Sequence, residues 1–174
     1  RAGSLFDKHE SIEELRAIRD WAETTTDGSR SDLSFQPSPF VWDYTAFGGR
    51  ALAPEPDGRL TLAFRAREDG HHWMINGKSY PKTDPIIVQP NRRYRWLLDN
   101  QSADPHPIHL HRHTFELIRM VDTPTSGVWK DVVVVPPWKQ VEIDVPTTQP
   151  GLSLLHCHQQ FHMDMGFMTM MRYA

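Results

Sequence analysis

From Arg59 to the C-terminus the sequence is a series of short apolar runs, and this series restricts the fold more than any other feature. Each run alternates apolar with polar residues or is rich in β-branched ones, and Gly, Pro, Asn or Asp separates it from the next. The nine runs are LTLAFRARE, HHWMING, PIIVQP, RYRWLLDN, HTFELIRMV, KDVVVVP, QVEIDVP, LSLLHCH and FMTMMRY. We predict an antiparallel sandwich or barrel of about eight strands from about residue 58 onward.

The first 57 residues have a different pattern. HESIEELRAIRDWAE predicts one helix, because Ser11 can cap its N-terminus and Glu14 completes a capping box. Its apolar residues recur on one face: Ile12, Leu15, Ile18 and Trp21. The segment that follows is polar and then rich in Gly, Pro and aromatic residues, as a linker would be. We therefore predict an N-terminal extension over residues 1–57, with one helix and a Pro/Gly-rich linker, and a β domain over residues 58–174.

Composition excludes several kinds of partner. The net charge of -3 over 174 residues provides no basic patch of the kind that nucleic acid or an anionic membrane surface requires. No apolar window approaches the roughly 20 residues that span a bilayer. The single cysteine excludes an intrachain disulfide and leaves the redox compartment open. The chain begins at Arg1 without an apolar signal segment, as a processed or excised piece of a longer polypeptide would.

Seven of the ten histidines lie in two short windows, HPIHLHRH and HCHQQFH. Successive side chains of a strand point to opposite faces of the sheet. His109 and His111 should therefore share a face, and so should His156 and His158, whereas Cys157 should point the other way. The pattern predicts two sites back to back, one built on the thiol and one on four imidazoles.

The thiol suggests a particular metal. A thiolate with two imidazoles in a trigonal arrangement is the ligand set of a blue-copper site. Cys157 would supply the sulfur, and His162 and His106 the two imidazoles. A lone histidine is more often structural or exposed, but six at paired spacing around one cysteine argue against that interpretation.

These motifs resemble those of multicopper oxidases, the laccase-like family. HPIHLHRHTFEL resembles the family's H-P-x-H-L-H-x-H-x-F element, and HCHQQFHMDMGF resembles its H-C-H-x-x-x-H-x-x-x-G-[MLF] element. The flanking segments MINGKSYPKTDPIIVQPNRRYRWLLDN and KDVVVVPPWKQVEIDVPTTQPGLSLLHCH also follow the family pattern. The resemblance implies an all-β, cupredoxin-like Greek-key sandwich or barrel, here with an N-terminal helical extension, and in particular the C-terminal cupredoxin domain of such an oxidase.

The resemblance also implies a role for each ligand. It makes His106, Cys157 and His162 the ligands of the type 1 copper, which takes single electrons from the reductant. It places His109 on the type 2 copper, and His111, His156 and His158 on the type 3 pair, where O2 is reduced to water. Phe167 takes the axial position of the type 1 copper without ligating it, which predicts a comparatively high potential. Asp164 is the acidic residue expected nearest the exposed edge of His162, and a solvated loop charge is its simpler interpretation.

The family's trinuclear cluster needs four His-x-His elements, and this chain has two. The resemblance therefore implies another cupredoxin domain or subunit that completes the cluster; a homodimer is a less favoured version. The expected activity is that of a laccase-like oxidoreductase, only part of the full catalytic unit, which takes electrons from phenolic, aromatic or metal-ion reductants in an extracellular or periplasmic location.

Two alternatives remain open at this stage. A stand-alone electron-transfer cupredoxin would need only His106, Cys157 and His162, and would have no use for four further imidazoles. A structural zinc domain would fill its ligands without redox activity.

Overall fold

The structure is a computed structural model that describes residues 44–49 and 51–174. The helix predicted within HESIEELRAIRDWAE and most of the linker lie outside the described residues. The division of the chain at residues 57 and 58 stays a prediction. No helix in the described part of the chain is long and apolar enough to cross a membrane.

Eleven strands, one α-helix and one short 3-10 helix form the described part of the chain. The 3-10 helix is Tyr44–Ala46, and α1 is Gln160–Asp164. The strands are β1 Gly58–Ala66, β2 Trp73–Ile75, β3 Ile86–Val88, β4 Arg93–Asn100, β5 His106–Leu110, β6 Phe115–Met120, β7 Thr123–Lys130, β8 Val132–Val135, β9 Gln140–Pro146, β10 Ser153–Cys157 and β11 Met168–Tyr173.

The strands form two sheets. The six-stranded sheet has the order β2-β1-β4-β9-β6-β7, and the five-stranded sheet has the order β3-β11-β10-β5-β8. The pairs β1–β4 and β3–β11 are parallel, whereas the other paired strands are antiparallel. The predicted all-β sandwich or barrel is confirmed, as two sheets, but the prediction of antiparallel pairing is wrong for β1–β4 and β3–β11. The structure has more strands than predicted, partly because the sequence of β7, TPTSGVWK, has no apolar alternation. Because β7 is an edge strand, it tolerates its proline.

The core lies between the inner faces of the two sheets. Each strand turns alternate side chains inward, so β4 buries Trp96 and Leu98 and β5 buries Ile108 and Leu110. The largest fully buried side chains come from both sheets and include Phe64, Phe115, Leu117, Ile143 and Leu155. This core holds β5 and β10, the two strands that carry the histidine motifs, in a fixed register.

The register of β5 against β10 positions both motifs. Cys157 pairs with Ile108 and His156 pairs with His109 across this antiparallel ladder. Inward residues therefore stand beside inward residues, and outward imidazoles stand beside outward imidazoles. On the other side of β5, His106 pairs with Val135 of β8.

Candidate metal centre

His106, Cys157 and His162 converge at one end of the sandwich. His106 begins β5, Cys157 ends β10 and His162 lies in α1. The Sγ of Cys157 is 3.9 Å from Nδ1 of His106 and 3.7 Å from Nδ1 of His162. All three side chains are buried, and their possible ligand atoms lie within 4.8 Å of one another. A single ion could therefore contact all three.

An aromatic wall surrounds this group. The ring of Trp73 lies 4.2 Å from that of His162 and 4.6 Å from that of His106, and it stacks on Phe167 at 5.6 Å. Phe167 is fully buried, 4.8 Å from the His106 ring. Its backbone N–H donates to the carbonyl of His162, and its own carbonyl accepts from the N–H of Cys157. These buried rings line the inner side of the three donor atoms.

The turn from α1 into β11 depends on Gly166. Its φ of +93° lies in the left-handed region, and a Cβ there would come within 3.0 Å of the Ser79 side chain and 3.3 Å of the Tyr80 backbone. The carbonyl of Gly166 also accepts from the N–H of Tyr80. A close backbone approach thus fixes the residue that precedes Phe167.

Burial keeps the three groups electrically neutral in the absence of metal. It lowers the pKa of His106 to about 3, with a smaller contribution from the neighbouring His162. It raises the pKa of the Cys157 thiol to about 11. It also lowers the pKa of His162, an effect that the charge of Asp104 opposes. At neutral pH the imidazoles therefore offer lone pairs, whereas the thiol must lose its proton to become a ligand.

The second histidine group lies on the outer face of the five-stranded sheet. Possible ligand atoms of His109, His156 and His158 lie within 4.8 Å of one another, and Nε2 of His111 is 2.9 Å from Nε2 of His156. His156 is buried and His109 is half-buried, whereas His111 and His158 are exposed. Burial is the largest cause of the lowered pKa of both His111 and His156. The group thus opens away from the core.

Backbone carbonyls orient two of these imidazoles. Nδ1 of His109 lies 2.8 Å from the carbonyl oxygen of Asp131, and Nδ1 of His156 lies 3.0 Å from that of Cys157. A carbonyl oxygen can only accept, so each ring donates from Nδ1 and leaves a lone pair on Nε2. Both rings therefore present an Nε2 lone pair, and that of His156 faces Nε2 of His111 at 2.9 Å.

The two groups are back to back, as the alternation predicts. Cys157 points into the core beside His106 and His162, while its neighbours His156 and His158 point outward. His113 belongs to neither group: its Nε2 lies 2.9 Å from the hydroxyl of Tyr173 and its Nδ1 lies 3.2 Å from Oγ of Ser153.

Sequence reasoning missed three contributors to the centre. Trp73 lies far from both motifs in sequence, and Ser102 contacts His106 from the loop before β5. Asp104 is the carboxylate whose charge acts on His162, whereas Asp164 accepts a hydrogen bond from Gln160 at 2.7 Å. Ser102 and Asp104 lie in the loop just before His106, where no spacing rule marks them, and Trp73 reaches the centre only through the tertiary fold.

The fold and the thiol-imidazole group define a cupredoxin-type domain. The sequence matches the profile described as multicopper oxidase over residues 52–174, so the chain belongs to the multicopper oxidase family.

Individual relatives agree with this membership. The chain is 31% identical to the multicopper oxidase MmcO of Mycobacterium tuberculosis over 179 residues, an alignment that covers 99% of this chain and 35% of that protein. It is 40% identical to Laccase-5 of Trametes versicolor over 181 residues, covering 83% of this chain and 34% of that one. The chain thus spans about a third of the length of these relatives.

Solved structures show the same fold. Fet3p, described as a multicopper oxidase that functions in iron import, superposes with a TM-score of 0.67 at 19% identity, over 79% of this chain and 35% of that one. McoA of Aquifex aeolicus superposes with a TM-score of 0.58 at 23% identity, over 71% of this chain and 31% of that one.

Proposed function

We propose that this chain is the C-terminal cupredoxin domain of a laccase-like, copper-dependent oxidoreductase. The whole unit would take single electrons from a phenolic, aromatic or metal-ion reductant and reduce O2 to water. The observation that carries this proposal is the back-to-back arrangement: one buried thiol with two imidazoles, joined through adjacent residues to four imidazoles on the opposite face. An extracellular or periplasmic location is part of the proposal and rests on the family resemblance.

The donor set of the inner group, which is His106, Cys157 and His162, fits copper. Thiolate sulfur with imidazole nitrogen suits copper, and three donors with an apolar neighbour in place of a strong fourth ligand are typical of blue-copper sites. Structural zinc sites are closed by four ligands. Among the described residues, no further cysteine, histidine or carboxylate joins His106, Cys157 and His162. The buried Phe167 supplies the apolar neighbour.

Each residue of the inner group has a proposed role. His106, Cys157 and His162 would hold the type 1 copper, and Phe167 would occupy its axial position without ligating. Bound copper would supply reversible one-electron chemistry at this site. Asp104, whose charge acts on His162, would attract a cationic reductant or accept the proton of a phenol. The aromatic wall would exclude water from the inner side.

The outer group would form half of a trinuclear cluster. His109 would serve the type 2 copper, and His111, His156 and His158 would serve the type 3 pair. The other four imidazoles would come from another cupredoxin domain or subunit, with a homodimer as the less favoured source. The chain's share of its relatives, about a third, supports this need for a further domain. A stand-alone electron carrier would have no use for the outward histidines.

The visible absorption spectrum of the copper-loaded chain under air tests the proposal. We expect an intense thiolate-to-copper charge-transfer band that a phenolic reductant bleaches. Cys157→Ser should lack this band, whereas His158→Ala, changed on the outer face one residue away, should keep it. A band that survives in Cys157→Ser, or a wild-type chain that binds copper without colour, would contradict the assignment of the inner group.

A further inference from the structure

A chain of buried hydrogen bonds reaches His106 at the ring nitrogen that does not face Cys157. Nε2 of His106 lies 2.8 Å from Oγ of Ser102. The same Oγ lies 2.8 Å from Oδ1 of Asn100, and the backbone N–H of Ser102 donates to that oxygen at 3.0 Å. Asn100, Ser102 and His106 are all buried, with 1%, 6% and 0% of their surface exposed. Asn100 and Ser102, which lead to His106, both lie outside the two histidine motifs.

The orientation of the Asn100 amide follows from what its nitrogen faces. Nδ2 lies 2.8 Å from the carbonyl oxygen of Asp104, 2.9 Å from that of Pro136 and 3.2 Å from that of Val135. Carbonyl oxygens only accept, so the amide NH2 must face them and the amide oxygen must face Ser102. The loop before β5 and the end of β8 thus set this orientation.

The direction of the remaining hydrogen bonds follows from Asn100. Because Oδ1 of Asn100 can only accept, the Ser102 hydroxyl donates to it; the carbonyl oxygen of Asp104, at 3.3 Å, is a second acceptor for that hydroxyl. In either case Ser102 presents a lone pair to His106. The ring hydrogen of His106 then lies on Nε2, and the lone pair lies on Nδ1, the atom 3.9 Å from Sγ of Cys157.

We propose that Ser102, oriented by Asn100, is a positioning residue that holds His106 in the Nε2–H tautomer and directs its Nδ1 lone pair toward the metal position. The proposal rests on the proposed function, since it takes His106 and Cys157 as ligands of one copper ion. The hydrogen bond at the second nitrogen of a ligating histidine fixes both its tautomer and its ring orientation. Here three backbone carbonyls orient the Asn100 amide, Asn100 orients the Ser102 hydroxyl, and the hydroxyl makes the hydrogen bond to His106.

The tautomer can be measured in the wild-type chain. In the metal-free chain, long-range proton–nitrogen NMR correlations of labelled histidine should show a protonated Nε2 and an unprotonated Nδ1 for His106, assigned by the signals lost in His106→Gln. A His106 ring that carries its hydrogen on Nδ1 would overturn the proposal, whether or not the chain binds copper. A wild-type chain that shows the expected tautomer but no charge-transfer band would refute the copper site and support the orientation of His106.

Three serine variants then test the effect on metal binding. Ser102→Ala should weaken copper affinity by about 10- to 100-fold, the usual effect of removing such a partner, and should introduce the Nδ1–H tautomer. Ser102→Thr retains the hydroxyl and should restore both properties. Ser126→Ala is the matched control, because Ser126, on β7, is also buried and donates to the backbone carbonyls of Gly49 and Ala51.

The outcomes separate a positioning role from a structural one. Equal copper affinity and tautomer in Ser102→Ala and the wild type would overturn the proposal, and so would an equal loss in Ser126→Ala. If Ser102→Ala does not fold, the wild-type tautomer and the Ser102→Thr variant decide. A threonine variant that keeps the tautomer, the copper affinity and the absorption band supports the positioning role of Ser102. One that folds but loses them overturns it.

Discussion

Nδ1 of His156 lies 3.0 Å from the carbonyl oxygen of its neighbour Cys157, so a hydrogen bond joins the outward imidazole to the backbone of the inward thiol. The two groups of potential ligands are therefore connected by one peptide unit as well as by a hydrogen bond. The strand pleat places the side chains of His156 and Cys157 on opposite faces of the sheet. The inward and outward groups are therefore joined at this pair of adjacent residues. With copper bound to both groups as proposed, this peptide unit would be a short route for electrons between them.

The axial position can be tested by substitution at Phe167. Phe167→Met would place a thioether beside the inner group, and we expect the reduction potential of the proposed blue-copper site to fall, because axial ligation stabilises oxidised copper. Phe167→Leu is the control, since it changes the volume but adds no ligand, and it should leave the potential nearly unchanged. Spectroelectrochemical titration of the visible band measures both. An unaltered potential in Phe167→Met would refute the assignment of Phe167 to the axial position.

The stability of the metal-free chain should fall on both sides of neutral pH. The folded pKa of His106 is lowered from 6.5 to about 3, so the unfolded state binds the extra proton between these values and stability is lost as the pH falls from about 6.5. The folded pKa of Cys157 is raised from 9.0 to about 11, so the unfolded state releases its proton first and stability is lost as the pH rises above about 9.

Urea denaturation in the presence of a chelator, at intervals from pH 4 to pH 10 as roughly set by these pKa values, measures this profile. Cys157→Ala should abolish the alkaline loss while keeping the acid one. An alkaline loss that persists in this variant would show that another group causes it.

Copper uptake should release a proton from Cys157. The thiol keeps its proton up to a pKa of about 11, whereas the ligand is the thiolate, so binding expels one proton at neutral pH. Apparent affinity should therefore rise about tenfold per pH unit between about pH 7 and 9. Calorimetric titration in buffers of different ionisation enthalpy counts the proton. Cys157→Ser is the reference variant, which should bind copper more weakly and release no proton. Equal proton release by this variant and the wild type would show that the proton does not come from the Cys157 thiol.

The charge of Asp104 should favour cationic reductants. The charge of its carboxylate acts to raise the pKa of His162, one of the two imidazoles of the inner group. Asp104→Asn should slow reduction of the oxidised blue site by a cationic metal complex more than by a neutral hydroquinone, and the difference should shrink at high salt. Stopped-flow bleaching of the band measures both rates. Asp164→Asn, which removes an exposed carboxylate bonded to Gln160, should leave the ratio unchanged.

Among the described residues, Asp144 should be the most important ionised group for stability. It is fully buried on β9, and its carboxylate accepts from Nε of Arg93 and from Nε and a terminal nitrogen of Arg95 at 2.7 to 2.9 Å. Asp144→Ala would leave two guanidinium groups without this partner and should cost about 3–5 kcal/mol.

Asp84→Ala is the control for Asp144, because it removes an exposed pair with Lys78 and should cost about 0–1 kcal/mol. Each cost is measured by urea denaturation, as the loss in free energy of unfolding relative to the wild type. Similar losses in both variants would contradict the importance of burial.

Local chemistry was readable from the sequence. Alternating side chains on a strand separate Cys157 from His156 and His158, and this follows from the pleat alone, so both faces could be assigned without a fold. The apolar alternation likewise identified most of the strands. β7 escaped because an edge strand needs no apolar face, and its backbone pairing with β6 decides its conformation.

The remaining features depended on distant contacts. His106 meets Cys157 across 51 residues only because β5 pairs with β10, and the amide of Asn100 is oriented by carbonyls 35 and 36 residues further along the chain. Trp73 reaches the centre in the same way, whereas Asp104 lies just before His106 in sequence and acts on the distant His162. The sequence by itself determined the types of ligand and the faces they occupy, because the strand period is a local property. Only the tertiary structure decided which residues surround and orient those ligands, because such contacts arise when separate strands are packed into one sandwich.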